Sequence, residues 1–198
     1  MQKEKLTPRE YSRKALEHIK KKLSGGLLEH ILGSARMARN LAVKFGVDAD
    51  KVSTAAYLHD LAKDISRDEQ VALARKMGMS DAEINSYPPA VLHGPLSAMI
   101  AMKELGIDDA EVLQAITAHS SGCAGMGDVA KVVFVSDYIE DTRDFPGALQ
   151  LRGRQYKNLD QAVLAVLQNK LRHLIAQKRF VDPRALACWN ELVGKQSS

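Results

Sequence analysis

The chemistry of this chain is concentrated in its histidines and in one aspartate placed among apolar residues. His59 is followed directly by Asp60 at the end of an apolar helical stretch. His93 stands just before a Gly-Pro helix start, His119 just before Ser-Ser-Gly, and His30 beside the apolar stripe of its own segment. Asp137 ends the run Val132-Val133-Phe134-Val135-Ser136, which otherwise reads as core. A carboxylate buried there is costly unless positive charge pairs with it. Its neighbours three and four residues away on a helix are Val133, Phe134, Glu140 and Asp141, none of them cationic. A metal ion is one way to supply the charge, and imidazole with carboxylate suits divalent iron, manganese or zinc. His30, His59, Asp60 and Asp137 complete one N/O site. His93 and His119 can serve a second ion bridged by Asp60.

Each residue alone has a plainer explanation. A histidine near an apolar face is more often a hydrogen-bonded core residue, and a His-Asp pair arises by accident. Asp137 can cap its helix or pair with Arg143 across a turn. The ordered set H…HD…H…H…D is the selective signal, since every member falls where it can face the interior. His18, in a basic segment, and His173, beside Arg172, read as surface residues. Phosphate-handling candidates cluster with the set. Lys63 lies one turn beyond Asp60, Ser120, Ser121 and the Gly122 amide follow His119, and Arg143 follows Asp137. Lysine offers phosphate a point charge and arginine a two-pronged one. The plain alternative is an ion pair of Lys63 with Asp64, or of Arg143 with Asp141.

The elements that must position these residues are helical throughout. Apolar spacing predicts helices over 8–22, 27–45, 51–63, 66–77, 80–85, 95–105, 109–119, 128–140 and 158–178. A short helix after Pro146 and a final one from Pro183 to about Val193 complete the set. Gly25-Gly26 is expected to break the first helix, and Ser66 with Glu69 forms a capping-box pattern. No β-branched alternation or internal repeat occurs, so the reading is all-α and one domain.

Composition agrees. Aromatics are only 5% of the chain, a mix that suits helix-on-helix packing better than a sheet. No window is long and apolar enough for a membrane span, and the leading segment lacks the apolar core of a secretory signal. Cys123 and Cys188 make neither a disulfide framework nor a C-x-x-C knuckle, which points to a reducing, cytoplasmic setting. The net charge of +4 is gathered at the N-terminus, where residues 1–22 hold eight Lys/Arg against three Glu. The rest is near neutral, so no specific nucleic-acid partner is expected. The sequence leaves a homodimer open.

The segments LLEHIL, YLHDLAKD, VLHGPLSA, ITAHSSG and FVSDYIEDTRDFPG resemble the HD-domain phosphohydrolases. More narrowly they resemble the YqeK-type branch, the symmetrical dinucleoside tetraphosphatases of bacteria. The likeness runs over about residues 26–193, through FVDPRALACWNELV. It implies a single HD-domain helical bundle over 23–198, with residues 1–22 as a basic helical extension. It also implies a metal centre, iron in this branch, with two ions as a variant and manganese or another divalent ion as substitute. The implied reaction is hydrolysis of diadenosine tetraphosphate to two ADP. Carried over residue by residue, His30, His59, Asp60 and Asp137 match the metal ligands, and His93 and His119 the extra histidines of a two-metal form. The branch leads one to expect threonines after the histidine at 119, where this chain has Ser120-Ser121, and both keep a hydroxyl.

In the mechanism so implied, Asp60 bridges the ions that acidify a water, and Asp60 and Lys63 are the catalytic pair. Lys63, Arg143 and the Ser120–Gly122 segment hold phosphates. The loop Gly122–Gly127, with Met126, is expected against a base, and Glu140 or Asp64 is expected to move a proton. The competing readings are a phosphohydrolase of mononucleotides such as dGTP or a nucleoside monophosphate, and a nucleotide-sensing HD scaffold without turnover.

Overall fold

The computed structural model describes residues 6–195, which form eleven helices and, among the described residues, no strand. They are α1 (Pro8–Lys22), α2 (Gly25–Phe45), α3 (Ala49–Leu58), α4 (Arg67–Lys76), α5 (Asp81–Asn85) and α6 (His93–Leu105). α7 (Ala110–Ala118), α8 (Asp128–Ile139), α9 (Pro146–Arg152), α10 (Leu159–Ala176) and α11 (Pro183–Gly194) follow. The all-helical expectation holds. No helix among the described residues is long and apolar enough to cross a membrane.

α8 is the central rod. Val129, Ala130, Val132, Val133, Phe134, Val135, Ser136, Asp137 and Ile139 are all buried, so most of its circumference is enclosed by neighbouring helices. Its valines are poor helix formers, and packing against α2, α7 and α10 overrides that preference. α3 is nearly as enclosed, lying between α1, α2 and α7. Asp48 starts it by accepting the amides of Asp50 and Lys51. α4 begins with the expected capping box, Ser66 with Glu69. The Gly25-Gly26 pair opens α2, while α1 has already stopped at Leu23.

α1 lays Tyr11, Ser12, Ala15 and Ile19 against the bundle and leaves its Arg9, Arg13, Lys20, Lys21 and Lys22 exposed. Tyr11 donates to the Gly106 carbonyl and to Asp108, and Lys14 donates to the Leu105 carbonyl.

Two cores result. The larger runs through α1, α2, α3, α7, α8, α10 and α11. The smaller gathers Ala62, Ala74, Met77, Ile84, Leu92, Leu96 and Ile100 beneath α4 and α5. α6 belongs to both, since Ala98, Ala101 and Leu105 lie in the larger one.

α3 ends at Leu58, five residues before the 63 that periodicity predicts. The His59 imidazole takes the Ala56 carbonyl, and the chain then turns, with the Lys63 amide on the Asp60 carbonyl. The Ala62 amide donates to Ser97 on α6, and Gln70 on α4 donates to the Ala62 carbonyl. In a continuing helix, residues 59 and 60 would diverge by about 100°. The turn lets both face one interior point.

Candidate metal centre

Six side chains from five places in the chain meet at that point, and all are buried: His30, His59, Asp60, His93, His119 and Asp137. The structure brings together every histidine and aspartate that the ordered set singled out. His30 comes from α2 and Asp137 from the last turn of α8, while His59 and His119 cap α3 and α7 and His93 is the first residue of α6.

One local device is used twice. Helix ends leave carbonyls without partners. His59 Nδ1 donates to the Ala56 carbonyl at 2.7 Å, and His119 Nδ1 donates to the Ile116 carbonyl at 2.8 Å. A carbonyl can only accept, so Nδ1 carries the proton and Nε2 is the nitrogen presented to the interior. His30 reaches the same state through a carboxylate, with Nδ1 3.1 Å from Glu140 Oε1.

The inward-facing atoms fall into two sets that share Asp60. In the first, His30 Nε2 lies 3.0 Å from Asp137 Oδ1 and 3.4 Å from Asp60 Oδ2. His59 Nε2 lies 3.3 Å from His30 Nε2, 3.2 Å from Asp60 Oδ2 and 3.6 Å from Asp137 Oδ1. In the second, His93 Nε2 and His119 Nε2 are 3.0 Å apart and lie 3.2 and 3.3 Å from Asp60 Oδ1. Asp60 Oδ1 is buried without a hydrogen-bond partner. Nitrogen and carboxylate lone pairs crowded this closely suit divalent cations in two groups, His30, His59 and Asp60 in one and Asp60, His93 and His119 in the other, while Asp137 stands against the two imidazoles of the first group without being a member of either.

The electrostatics lead the same way. Burial pulls His59 down, but Asp60 and Asp137 overcome it and hold the imidazole up at about 10. A divalent cation would feel that same field. Burial also dominates at His119, which falls to about 4 because Asp60 alone offsets it while His59 and His93 oppose. Burial would raise both aspartates, yet the surrounding imidazoles hold Asp60 and Asp137 well below the usual carboxylate range.

The centre is backed by a second layer. Glu140 is fully buried and accepts the Thr142 amide and hydroxyl besides His30. A Cβ on Gly33 would collide with Glu140 Oε2, so α2 needs glycine there to admit that carboxylate. Arg152 donates to the carbonyls of Ile139, Glu140 and Arg143, fixing the segment that leaves α8.

The expected phosphate-handling residues divide. Lys63 Nζ lies 2.7 Å from Asp60 Oδ2, and Arg143 donates to Asp137 Oδ1 at 3.1 Å. Arg143 thus supplies from a loop the cation that the spacing along α8 lacks. Both stand partly exposed at the mouth of the centre. Ser120 Oγ lies 3.1 and 3.0 Å from the Nε2 atoms of His93 and His119. Ser121, in contrast, donates to Asp182, and the Gly122 amide donates to the Ala118 carbonyl. Met126 is buried beneath Gly122 rather than offered to a base.

Two residues escaped the sequence reading. Lys170 on α10 donates to the Ser120 carbonyl at 2.7 Å, its ammonium 4.5 Å from the Phe134 ring centre. Desolvation lowers it to about 8. Asp182 caps α11 and accepts from both Ser121 and Arg184. Only the cap was visible in the sequence, as Asp-Pro before a helix.

The HD domain family profile matches residues 27–142, more than half of the chain and all six converging residues. A Halalkalibacterium halodurans protein named "Bis(5'-nucleosyl)-tetraphosphatase, symmetrical" is 34% identical over 92% of this chain and 97% of its own length. The chain belongs to the HD-domain family of symmetrical bis(5'-nucleosyl)-tetraphosphatases. A Bacillus subtilis relative of the same name is 33% identical over 90% of this chain and 96% of its own. A crystal structure from Clostridium acetobutylicum, described as a predicted HD superfamily hydrolase involved in NAD metabolism, superposes with a TM-score of 0.83. It is 28% identical and covers 92% of this chain and 97% of the other. HD-domain membership makes this a hydrolase fold that works with a divalent metal, in keeping with the two His/Asp clusters.

Proposed function

We propose that this protein hydrolyses diadenosine tetraphosphate and related dinucleoside polyphosphates symmetrically, giving two ADP, at a centre held by His30, His59, Asp60, His93, His119 and Asp137. The observation that carries the reading is Asp60, whose two oxygens face two separate sets of imidazole nitrogens. A shared carboxylate of this kind would help to hold divalent cations on both of its sides, with His30 and His59 on one and His93 and His119 on the other.

A divalent ion bound there would supply the Lewis acidity that activates water and the charge that neutralises phosphoryl oxygens. The N/O donor set suits iron, with manganese as substitute. Atoms balance simply. Water adds its oxygen to one inner phosphorus, the bond from that phosphorus to the central bridging oxygen breaks, and the two water protons are shared out between the two ADP products and solvent. Asp60 positions both halves of the centre. Lys63 and Arg143 each exchange a carboxylate partner for phosphate oxygens as substrate arrives, and the Ser120 hydroxyl is within reach of the same chain. Positioning and charge stabilisation of this sort supply most of the rate in phosphoryl transfer. Glu140 holds the His30 tautomer rather than moving a substrate proton. Free thiols at Cys123 and Cys188 suit a cytoplasmic enzyme.

Elemental analysis of anaerobically purified protein, paired with chromatography of the products from diadenosine tetraphosphate, tests the reading. Iron with ADP as the sole nucleotide product is expected. AMP with ATP, or no cleavage beside ready hydrolysis of a mononucleotide, overturns it.

A further inference from the structure

Ala62 lies two residues beyond Asp60, and both of its backbone groups are held from other helices. Its amide donates to Ser97 Oγ on α6 at 3.1 Å, and its carbonyl accepts from Gln70 Nε2 on α4 at 2.9 Å. Its side chain belongs to the smaller core, with Leu92 and Leu96. We propose that Ser97 and Gln70 are positioning residues for the metal centre, which clamp Ala62 and through it aim Asp60 and Lys63. The inference rests on a divalent cation binding at the centre, and not on the identity of the substrate.

Two acceptors compete for one amide. In an α-helix each amide bonds to the carbonyl four residues back. For Ala62 that carbonyl belongs to Leu58, the last residue of α3. Leu61 and Ala62 continue the apolar period, so nothing local stops the helix there. Ser97 takes the Ala62 amide instead, and the Leu58 carbonyl is left with the Leu61 amide at 3.4 Å. The Lys63 amide then closes the turn on the Asp60 carbonyl at 3.0 Å. A longer α3 would carry Asp60 round the helix, away from His59. Its two oxygens would no longer stand between the His30–His59 and His93–His119 pairs. Lys63, whose Nζ is 2.7 Å from Asp60 Oδ2, would move with it.

Both arms of the clamp are built into the interior. Ser97 is fully buried within α6, where alanine would be the better helix former and a serine competes with the backbone. It lies one turn beyond His93, so the helix that brings one imidazole to the centre also fixes the segment bearing Asp60. Gln70 is buried as well, and its Nε2 also reaches the Ile65 carbonyl at 3.4 Å. The capping box of Ser66 and Glu69 sets the first turn of α4, from which Gln70 projects to Ala62. α4 brings no side chain of its own to the centre. Holding the residue that follows the shared aspartate gives it a part there.

Manganese titration of metal-stripped, full-length protein by calorimetry tests the assignment. Ser97→Ala removes the acceptor without adding bulk, and manganese binding is expected to weaken about 10–100-fold, the size of a lost outer contact to a metal site. Gln70→Met keeps the length and loses the donor, and a smaller loss in the same direction is expected. Ser53→Ala is the matched control. Ser53 is as deeply buried, but its hydroxyl serves its own helix and Arg39. Its removal is expected to lower the melting temperature and leave manganese affinity unchanged. Wild-type manganese affinity in Ser97→Ala or in Gln70→Met, or an equal loss in Ser53→Ala, overturns the clamp. Gln70→Met carries the test where Ser97→Ala does not fold. No dinucleotide enters the titration, so the clamp can fail while the tetraphosphatase reading stands, and an unexpected product in the chromatographic assay leaves the clamp untouched.

Discussion

The two halves of the centre use the same parts and arrive at opposite electrostatics. His59 and His119 are both fully buried, both cap a helix, and both give Nδ1 to a carbonyl three residues back. Yet His59 is held up at about 10 and His119 falls to about 4. The difference is the number of carboxylates. The first half has Asp60 Oδ2 and Asp137, with Glu140 behind His30. The second has one oxygen of Asp60 between two imidazoles. Burial sets the same cost on both sides, and the local count of negative groups decides which way each imidazole goes. The first half would thus be the stronger cation trap, and the second, with one carboxylate oxygen, the weaker one.

Breaking the shared residue should have the largest effect. Asp60→Ala removes a ligand from both halves, and turnover is expected to fall by at least ~10³-fold with loss of bound metal. Circular dichroism checks that the helices remain. Full metal content with retained rate would remove Asp60 from the centre.

Separating the halves comes next. Asp137→Asn should strip the tight ion and lower turnover by roughly 10²–10³-fold, the size of one lost electrostatic contact at a reacting group. His119→Ala should leave one tightly held ion per chain. Metal titration of both variants reads the order directly, and equal metal affinities would dissolve the contrast between the two halves.

A gentler perturbation acts through the second layer. Glu140→Gln keeps the volume and weakens the hold on His30 Nδ1, with metal affinity expected to fall about 10–100-fold. Gly33→Ala, which pushes a methyl into Glu140 Oε2, should shift affinity in the same direction. Metal binding unchanged in Glu140→Gln would make that residue merely structural.

The smallest effect is the pH dependence of melting in metal-stripped protein. His59 is raised, so its contribution is complete below its unfolded value of 6.5 and is lost as pH rises through about 10. His119 is lowered, so its contribution is complete above 6.5 and is lost as pH falls toward about 4. Asp60 and Asp137 add to the acid side at still lower pH. Calorimetry should show a melting maximum near 6.5, and metal loading should remove the alkaline decline by taking the place of the His59 proton.

Much of this was legible in the sequence because it is local. Helix ends are written in caps and glycines, and His59, His93 and His119 sit at such ends. The end of α3 was not legible, since Leu61 and Ala62 continue the apolar period. What stops the helix is partly Ser97, thirty-five residues away. Arg143 was visible as a cation, and its approach to Asp137 depends on Arg152 gripping the intervening turn. Ser121 has the same hydroxyl as Ser120, and only Asp182, from the start of α11, tells them apart. Lys170 stands among polar residues of a leucine-rich helix, so nothing near it in the chain points to Ser120.

The pair of cores carries a consequence for how the protein breathes. His30, His59 and Asp137 are anchored in the larger body, whereas His93 hangs from the helix that the smaller one steadies beneath α4 and α5. Small packed units open before large ones, and amide exchange is the clock that times them. A transient loosening of residues 62–100 would therefore slacken one side of the candidate centre while the other stays clenched, so activity would be lost well before the protein melts.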